Sequence, residues 1–226
     1  MSVAKTVFYT AAICPFAQRA AIAFREIGLE HEKVEIDLLK KPSWYKDINP
    51  DGKVPSFTIQ GRNIAESLVL VELANDLKPE VGLLPADPVK RAQSRYIIEY
   101  FSSKVTSPWY GFLSDFKKEN LNKYTDALDV AYTRINDLLL EQSSTGPYFL
   151  GSQFSLADIG VASFYLRQQA THKLLLNDLQ IEAVNKYPRV KEWLEGISSR
   201  PSIKETYPGD EYVIKIFNKL WDLSKF

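Results

Sequence analysis

Two kinds of hydrophobic pattern divide this chain, and the change falls near residue 82. Before it, short apolar runs alternate with helical segments, whereas after it the apolar positions of almost every segment recur with the period of an α-helix. The pattern predicts an α/β domain over residues 1–82 and an all-helical domain over residues 83–226. Prolines at positions 85 and 88 favour a connector between the two domains.

The first domain is predicted to have the order βαβ-α-ββα. β-Branched and aromatic residues at 6–9 indicate a strand, and a helix follows over 15–27 with proline at its first position. Gly28 is typical of a helix end, and the alternating stretch 31–37 indicates a half-buried strand that continues a right-handed βαβ unit. The remaining elements are predicted at 42–48 (helix), 55–59 and 63–65 (hairpin), and 67–77 (helix).

The second domain is predicted to consist of helices alone. The last of them has apolar residues at Val213, Ile216, Phe217, Leu220 and Trp221, so we expect an amphipathic helix that folds back over the molecule as a lid. The predicted helices cover residues 89–104, 119–142, 156–169, 188–198 and 211–223.

The composition makes several partner classes improbable. The 226 residues include 28 Lys plus Arg and 28 Asp plus Glu, so no net charge attracts nucleic acid or an anionic membrane surface. No apolar run approaches the roughly 18 residues of a membrane span, and residues 1–13 lack the features of a secretory signal. One cysteine cannot form an intramolecular disulfide, so we expect a reducing, cytoplasmic setting. One cysteine and two histidines cannot supply a structural zinc site without carboxylates, so we expect no metal.

The single cysteine, Cys14, lies directly before the first predicted helix, and two interpretations are open. Backbone N–H groups and the helix dipole at that position favour a thiolate, and such sites lower a cysteine pKa to roughly 3.5–7.5. Alternatively, Cys14 is a buried small apolar side chain. Position 17 holds Ala17, so no second thiol of a Cys-x-x-Cys motif is present, and disulfide exchange would need an external thiol.

Two further positions are candidates for ligand contacts. Val54 precedes Pro55 at the start of a strand, where a cis bond would expose the Val54 backbone to an extended ligand, although the trans form is the commoner at such bonds. Ser67 opens a helix and is either a plain N-cap or a binder of a carboxylate, with Glu66 beside it for an ammonium group.

These motifs together resemble the cytosolic glutathione transferases, and the cysteine at position 14 is typical of the omega class. The resemblance covers essentially the whole chain and includes the Ser155-x-x-Asp158 helix cap of the second domain. The motifs that carry it are Cys-Pro-Phe-Ala-Gln-Arg from Cys14, Lys-Pro-Ser-Trp-Tyr from Lys41, Asn-Pro-Asp-Gly-Lys-Val-Pro from Asn49, and Glu66-Ser67.

The resemblance implies a catalytic role for Cys14, with Phe16 beside it. It implies that Lys53 and Val54 hold the glycine and cysteinyl parts of glutathione, and that Glu66 and Ser67 hold the γ-glutamyl end. Tyr9 and Thr10 lie where other classes of the family keep a catalytic tyrosine or serine, and we assign Tyr9 to the core. Lys40 and Lys41 are expected to be solvated.

An acceptor pocket is expected in the cleft between the domains. Aromatic side chains follow the first long helix, and polar side chains of the 156–169 helix can face the same cleft, although for any one ring a place in the core is an equal alternative. The candidate residues are Trp109, Tyr110, Phe112, Phe116, Tyr165, Arg167 and Trp221.

The expected activity is glutathione-dependent thiol transfer. Cys14 would remove glutathione from a mixed disulfide or a glutathione conjugate through a cysteinyl-glutathione intermediate. Dehydroascorbate reduction is an expected side activity, and conjugation of small aromatic or apolar electrophiles is expected to be weak. The alternatives are a ligandin-like carrier of aromatic metabolites and a glutathione-dependent etherase. The resemblance also implies a homodimer.

Overall fold

The computed structural model describes residues 5–221 and residue 223. Within them one four-stranded sheet has the order β2-β1-β3-β4, with β1 parallel to β2 and antiparallel to β3, and β3 antiparallel to β4. The strands are β1 Val7–Thr10, β2 Glu32–Glu35, β3 Ser56–Ile59 and β4 Arg62–Ala65. The predicted βαβ-α-ββα order is confirmed, but β2 is an edge strand and is mostly exposed rather than half-buried.

The helices of the first domain are α1 Pro15–Glu26, α2 Tyr45–Ile48 and α3 Ser67–Leu77. Pro15 occupies the first turn of α1, where its missing N–H breaks no helical hydrogen bond. Gly28 follows the helix with φ +59°, a left-handed conformation that glycine adopts without steric cost. These two residues fix both ends of the helix that begins directly after Cys14.

The second domain is all-helical, as predicted. Its helices are α4 Pro88–Phe101, α5 Ser107–Ser114, α6 Leu121–Leu140, α7 Leu156–Leu175, α8 Glu182–Lys186, α9 Pro188–Ser199, α10 Pro201–Thr206 and α11 Asp210–Leu220. A π-helical turn over Ser102–Thr106 joins α4 to α5. Sequence periodicity missed α5, α8 and α10 because each has fewer than nine residues, too few to repeat an apolar pattern. The domain boundary at residue 82 stays a prediction.

The Ser155-x-x-Asp158 motif forms the predicted capping box at the start of α7. The Asp158 carboxylate accepts hydrogen bonds from the Ser155 N–H at 2.9 Å, the Phe149 N–H at 2.8 Å and Trp193 Nε1 at 2.8 Å. Burial nevertheless raises the pKa of Asp158 to about 6. The cap therefore also ties α9 and the segment before α7 to the start of α7.

Hydrogen bonds from α1 and α7 join the two domains. Arg19 of α1 donates from Nε and Nη2 to the Gly160 carbonyl of α7, at 2.9 and 2.6 Å. At the far end of α1, Glu26 accepts two hydrogen bonds from Arg200, at 2.7 and 2.6 Å. Because α1 makes both contacts, this helix of the first domain is also held in place by hydrogen bonds to the helical domain.

Two predictions for the helical domain need correction. The amphipathic face of α11 buries Val213, Ile214 and Phe217, whereas Leu220 is exposed, so the apolar face packs on α7 with a different set of residues from the one expected. The helix predicted over 156–169 is longer than expected: α7 runs on to Leu175 and carries His172 into the core. No helix within residues 5–221 is long and apolar enough to cross a membrane.

Candidate active site

Cys14 occupies the N-cap position of α1, with an extended backbone (φ −76°, ψ 117°) that turns the chain into the helix. Its N–H donates to the Ala11 carbonyl at 2.9 Å, and its thiol faces the Val54 carbonyl with a sulfur-to-oxygen distance of 3.7 Å. The side chain is partly buried. The thiol thus lies between the start of α1 and the segment that leads into β3.

Burial raises the pKa of the Cys14 thiol above its ordinary value. The Ala17 and Phe16 N–H groups and the charges of Arg167 and Arg19 oppose this effect but do not outweigh it. The helix start therefore lowers the pKa as expected, but removal of the sulfur from water has the larger effect, so the net shift in the free protein is upward. The same four groups remain in place to stabilise a thiolate when one forms.

A cavity of about 390 Å³ surrounds the thiol. All six residues predicted for the cysteine and glutathione sites line it, although they come from three separate parts of the chain. The lining residues are Cys14, Phe16, Leu38, Lys41, Asn49, Lys53, Val54, Pro55, Glu66 and Ser67. The fold therefore brings the predicted residues together, and their binding roles stay a prediction.

Two polar side chains fix the Lys53–Val54 wall of this cavity. The Lys53 carbonyl accepts hydrogen bonds from the Tyr45 hydroxyl at 2.7 Å and from Asn49 Nδ2 at 2.8 Å. Asn49 Nδ2 also donates to Ser56 Oγ at 3.1 Å, and Ser56 Oγ in turn donates to the Tyr45 hydroxyl, 3.1 Å away. The Val54–Pro55 bond is cis, so the expectation from overall frequencies does not hold at this bond. Tyr45 is buried, and its sequence motif gave no indication of this supporting role.

The opposite wall consists of Glu66 and Ser67 at the start of α3. Ser67 is the first helical residue rather than the cap, and Glu66 occupies the cap position with φ +72° and ψ 118°. A residue with a Cβ rarely adopts a positive φ, and such strained positions cluster at ligand sites. No side chain caps this helix start, so its backbone N–H groups are available for an anion.

Lys41 is exposed, as expected for a solvated lysine, and it also lines the cavity. Sequence reasoning missed it because a lysine pair in a polar loop has no distinguishing signal. The cavity lining therefore holds two cations, Lys41 and Lys53, and one anion, Glu66. It favours a ligand with two negative groups and one positive group.

Four of the seven predicted acceptor-pocket residues lie away from this cavity. Trp109 is fully buried and donates from Nε1 to Thr171 Oγ1 at 3.3 Å, and Phe112 and Phe116 are also buried in the helical core. Tyr165 lines a separate cavity of about 150 Å³. Trp109, Phe112 and Phe116 thus take the alternative role that the sequence left open, as rings in the core.

Tyr110, Trp221 and Arg167 lie on the helical side of the Cys14 region. The Tyr110 and Trp221 rings are half-buried, with centroids 6.0 Å apart. Burial raises the pKa of Tyr110 to about 12, and the charges of Arg167, Cys14 and Arg19 also act on it. Arg167 is fully buried and does not offer a pocket surface. That Tyr110 and Trp221 contact the acceptor substrate stays a prediction.

Phe16 stands at the mouth of the Cys14 cavity and is 45% exposed. Its ring meets the edge of Phe164 at 4.9 Å between centroids, and the Arg19 guanidinium lies 5.5 Å from its centre. Tyr9, by contrast, is buried against Tyr45, which confirms its assignment to the core. Among the described residues, no group of histidine, cysteine and carboxylate side chains could hold a metal ion.

Comparison with known proteins agrees with this geometry. Residues 8–82 match the family model of the glutathione S-transferase N-terminal domain, and residues 104–207 match that of the C-terminal domain. Glutathione transferase Omega 1C from Trametes versicolor is 34% identical, with a TM-score of 0.80 over 97% of this chain and 98% of the other. The chain belongs to the glutathione S-transferase family, in its omega class.

Two other members of this family extend the comparison. Glutathione S-transferase omega-1 from Sus scrofa is 29% identical over 94% of this chain and 84% of its own length. Glutathione transferase Omega 2S from Trametes versicolor, solved in complex with 2,4-dihydroxybenzophenone, is 25% identical, with a TM-score of 0.75 over 95% of this chain and 98% of the other. The similarity of this transferase to its relatives thus spans both domains.

Proposed function

We propose that this glutathione transferase is a thiol transferase that removes glutathione from mixed disulfides and from glutathione conjugates. The observation that supports it best is the position of Cys14 in the cavity whose charged groups are Lys41, Lys53 and Glu66. Glutathione carries two carboxylates and one ammonium group, so these two cations and one anion match its charges. A cysteine beside bound glutathione sulfur favours disulfide exchange.

The proposal gives each wall of the cavity one part of glutathione. Lys53 and Lys41 hold the glycine carboxylate, and the Val54 backbone pairs with the cysteinyl unit. The Ser67 N–H and hydroxyl hold the γ-glutamyl carboxylate at the start of α3, and Glu66 accepts from the ammonium group. Phe16 forms the wall on the acceptor side.

The reaction splits one exchange into two steps. The Cys14 sulfur attacks the glutathione sulfur, a new Cys14–glutathione disulfide forms, and the bond to the acceptor breaks. The acceptor leaves as a thiolate, or as an enolate if it was a thioether beside a carbonyl, and takes up the proton that Cys14 released. A second glutathione thiolate then attacks the bound glutathione sulfur, leaves as glutathione disulfide and returns Cys14 as a thiolate.

Replacement of Cys14 by serine tests this mechanism. We expect Cys14→Ser to lose at least about a hundredfold in the rate of deglutathionylation of a small glutathionyl disulfide, because an alcohol is a far weaker nucleophile than a thiolate. Intact-mass measurement after treatment with oxidised glutathione should show one glutathionyl adduct on the wild type and none on the variant. Retention of most activity by Cys14→Ser would overturn the covalent mechanism.

A ligandin-like carrier of aromatic molecules is the second candidate. It is supported by the half-buried Tyr110 and Trp221 rings and by the fungal relative that was solved with 2,4-dihydroxybenzophenone. Displacement of a fluorescent dye by a hydroxylated benzophenone, with equal affinity in wild type and Cys14→Ser, would support this role, and failure to displace the dye would count against it. The homodimer and the dehydroascorbate reductase activity stay predictions.

A further inference from the structure

Arg167 of α7 reaches across the domain boundary to the backbone that immediately precedes Cys14. Its Nε donates to the Ile13 carbonyl at 2.9 Å, and its Nη2 donates to the Ala12 carbonyl at 3.0 Å. Its Nη1 donates to the Ser163 carbonyl at 2.8 Å and to the Gln18 side chain. One guanidinium from the helical domain therefore holds the chain on both sides of the cysteine.

No carboxylate accompanies this charge within the part of the chain that the structure describes. Arg167 is fully buried, and its hydrogen-bond acceptors are neutral carbonyl oxygens. Burial lowers the pKa of Arg167 to about 10, which leaves it charged at neutral pH. A buried charge without a counter-ion is costly, so fold stability alone does not account for an arginine at this place.

We propose that Arg167 is a positioning residue of the thiol-transfer reaction. It holds the Ala12–Ile13 backbone so that the Cys14 sulfur faces the cavity, and it places a fixed positive charge beside that sulfur when it is a thiolate. This inference rests on the proposed function. The proposal replaces the role in the acceptor pocket that the sequence suggested for Arg167 with a role in positioning Cys14.

Several other charged or titratable groups also act on Cys14, so the test must separate Arg167 from them. Arg19 of α1 adds a second buried guanidinium, which is held by the Gly160 carbonyl and lies 4.6 Å from the centre of the Phe164 ring. The remaining groups that face the thiol from neighbouring elements or share its cavity are Tyr45, Tyr110, Lys41, Lys53 and Glu66.

The single cysteine makes a direct test possible. Because Cys14 is the only thiol in the chain, the rate of alkylation by iodoacetamide as a function of pH reports its ionisation without any contribution from another residue. We compare the wild type with Arg167→Met, which removes both the charge and the hydrogen bonds, and with Arg167→Lys, which keeps the charge and loses the planar fork.

The matched control is Arg189→Met. Arg189 is also buried in the helical domain and donates to three backbone carbonyls, those of Ser143, Gly146 and Tyr148. Its loss should lower the melting temperature much as the loss of Arg167 does. It should leave the alkylation profile of Cys14 unchanged, because Arg189 does not act on that thiol.

We expect Arg167→Met to shift the alkylation profile upward by about one pH unit and to lower kcat between about ten- and a hundredfold. Arg167→Lys should stay within about half a unit of the wild-type profile and still lose kcat, while KM changes little. If both variants change only the melting temperature, as Arg189→Met does, the positioning role is wrong. Should Arg167→Met fail to fold, the kcat of Arg167→Lys decides the question.

The outcome is distinguishable from failure of the proposed function. If Cys14→Ser keeps its transfer activity, the covalent mechanism falls, whereas the alkylation profiles of the Arg167 variants still show whether Arg167 supports the thiolate. If Cys14→Ser is inactive and the profile and kcat of the Arg167 variants match those of the wild type, only the role of Arg167 falls.

Discussion

At the scale of single residues, the site combines a raised pKa of the Cys14 thiol with a strained backbone at Glu66. Burial keeps the pKa of Cys14 above its ordinary value in the free protein, and Glu66 holds a positive φ at the entrance of α3. The positive φ of Glu66 costs stability in the absence of a ligand, and such a cost persists where the surrounding structure enforces it. The Glu66 backbone is therefore held in this conformation before any ligand arrives.

Substitution of Glu66 separates this strain from binding. Glu66→Gly should raise the free energy of unfolding by about 1 kcal/mol, because glycine adopts φ +72° freely, and should raise KM for a glutathionyl disulfide about tenfold through loss of the carboxylate. Glu66→Gln keeps the backbone strain, so we expect unchanged stability with a similar rise in KM. Urea unfolding and steady-state kinetics measure the two effects, and a Glu66→Gly protein with wild-type KM would refute the binding role.

At the scale of elements, a buried polar network joins α6 to α7. The Tyr124 hydroxyl lies 2.6 Å from His172 Nε2 and accepts from Gln168 Nε2 at 3.2 Å, while the Tyr132 hydroxyl donates to Gln168 Oε1 at 3.1 Å. Because Gln168 donates to Tyr124, the tyrosine donates its own proton to His172, which must be neutral to accept it. Burial lowers the pKa of His172 to about 4.

The free energy of unfolding should consequently decrease in acid, because protonation of His172 is unfavourable in the folded protein. Its pKa in the fold lies below the ordinary value of roughly 6.5, so its contribution is complete above about pH 6.5 and is lost as pH falls toward 4. Between pH 7.5 and 5.0 this residue should account for a loss of about 2 kcal/mol in the free energy of unfolding.

Urea unfolding of the wild type and of His172→Gln at both pH values isolates the contribution of His172, since other groups titrate in both proteins. The wild type should lose about 2 kcal/mol more than the variant over this range. An equal pH dependence of the two proteins would contradict the prediction.

At the scale of the whole molecule, the two domains meet along α1. Arg19, Gln18 and Glu26 of this helix contact α7, α10 and Arg200 in turn, so successive turns of one helix bind the helical domain. The sheet and α3 lie on its other side and supply Lys53, Val54, Glu66 and Ser67. The cavity forms where these two sets of contacts leave Cys14 partly uncovered.

The sequence predicted this arrangement unevenly. The order of elements could be predicted because period and turn residues are local properties that the fold preserves, whereas most of the residues around Cys14 were predicted from the resemblance to the glutathione transferases. Burial could not be predicted: Trp109, Phe112 and Arg167 looked like pocket residues but lie in the interior. Nor did the sequence indicate that the exposed Lys41 lines the cavity. Which face of a helix meets another domain depends on contacts between residues far apart in the chain, and one sequence does not reveal them.

The reach of Arg167 to Ala12 and Ile13 has a consequence for protein engineering. A chimera that joins the first domain of this chain to the helical domain of another transferase would keep every cavity residue, yet it would lose the support of its nucleophile unless the new helix carried an arginine at the matching turn. We therefore expect that transfer of the activity to a chimera requires the first domain together with α7, and that a chimera joined at the domain boundary separates the two.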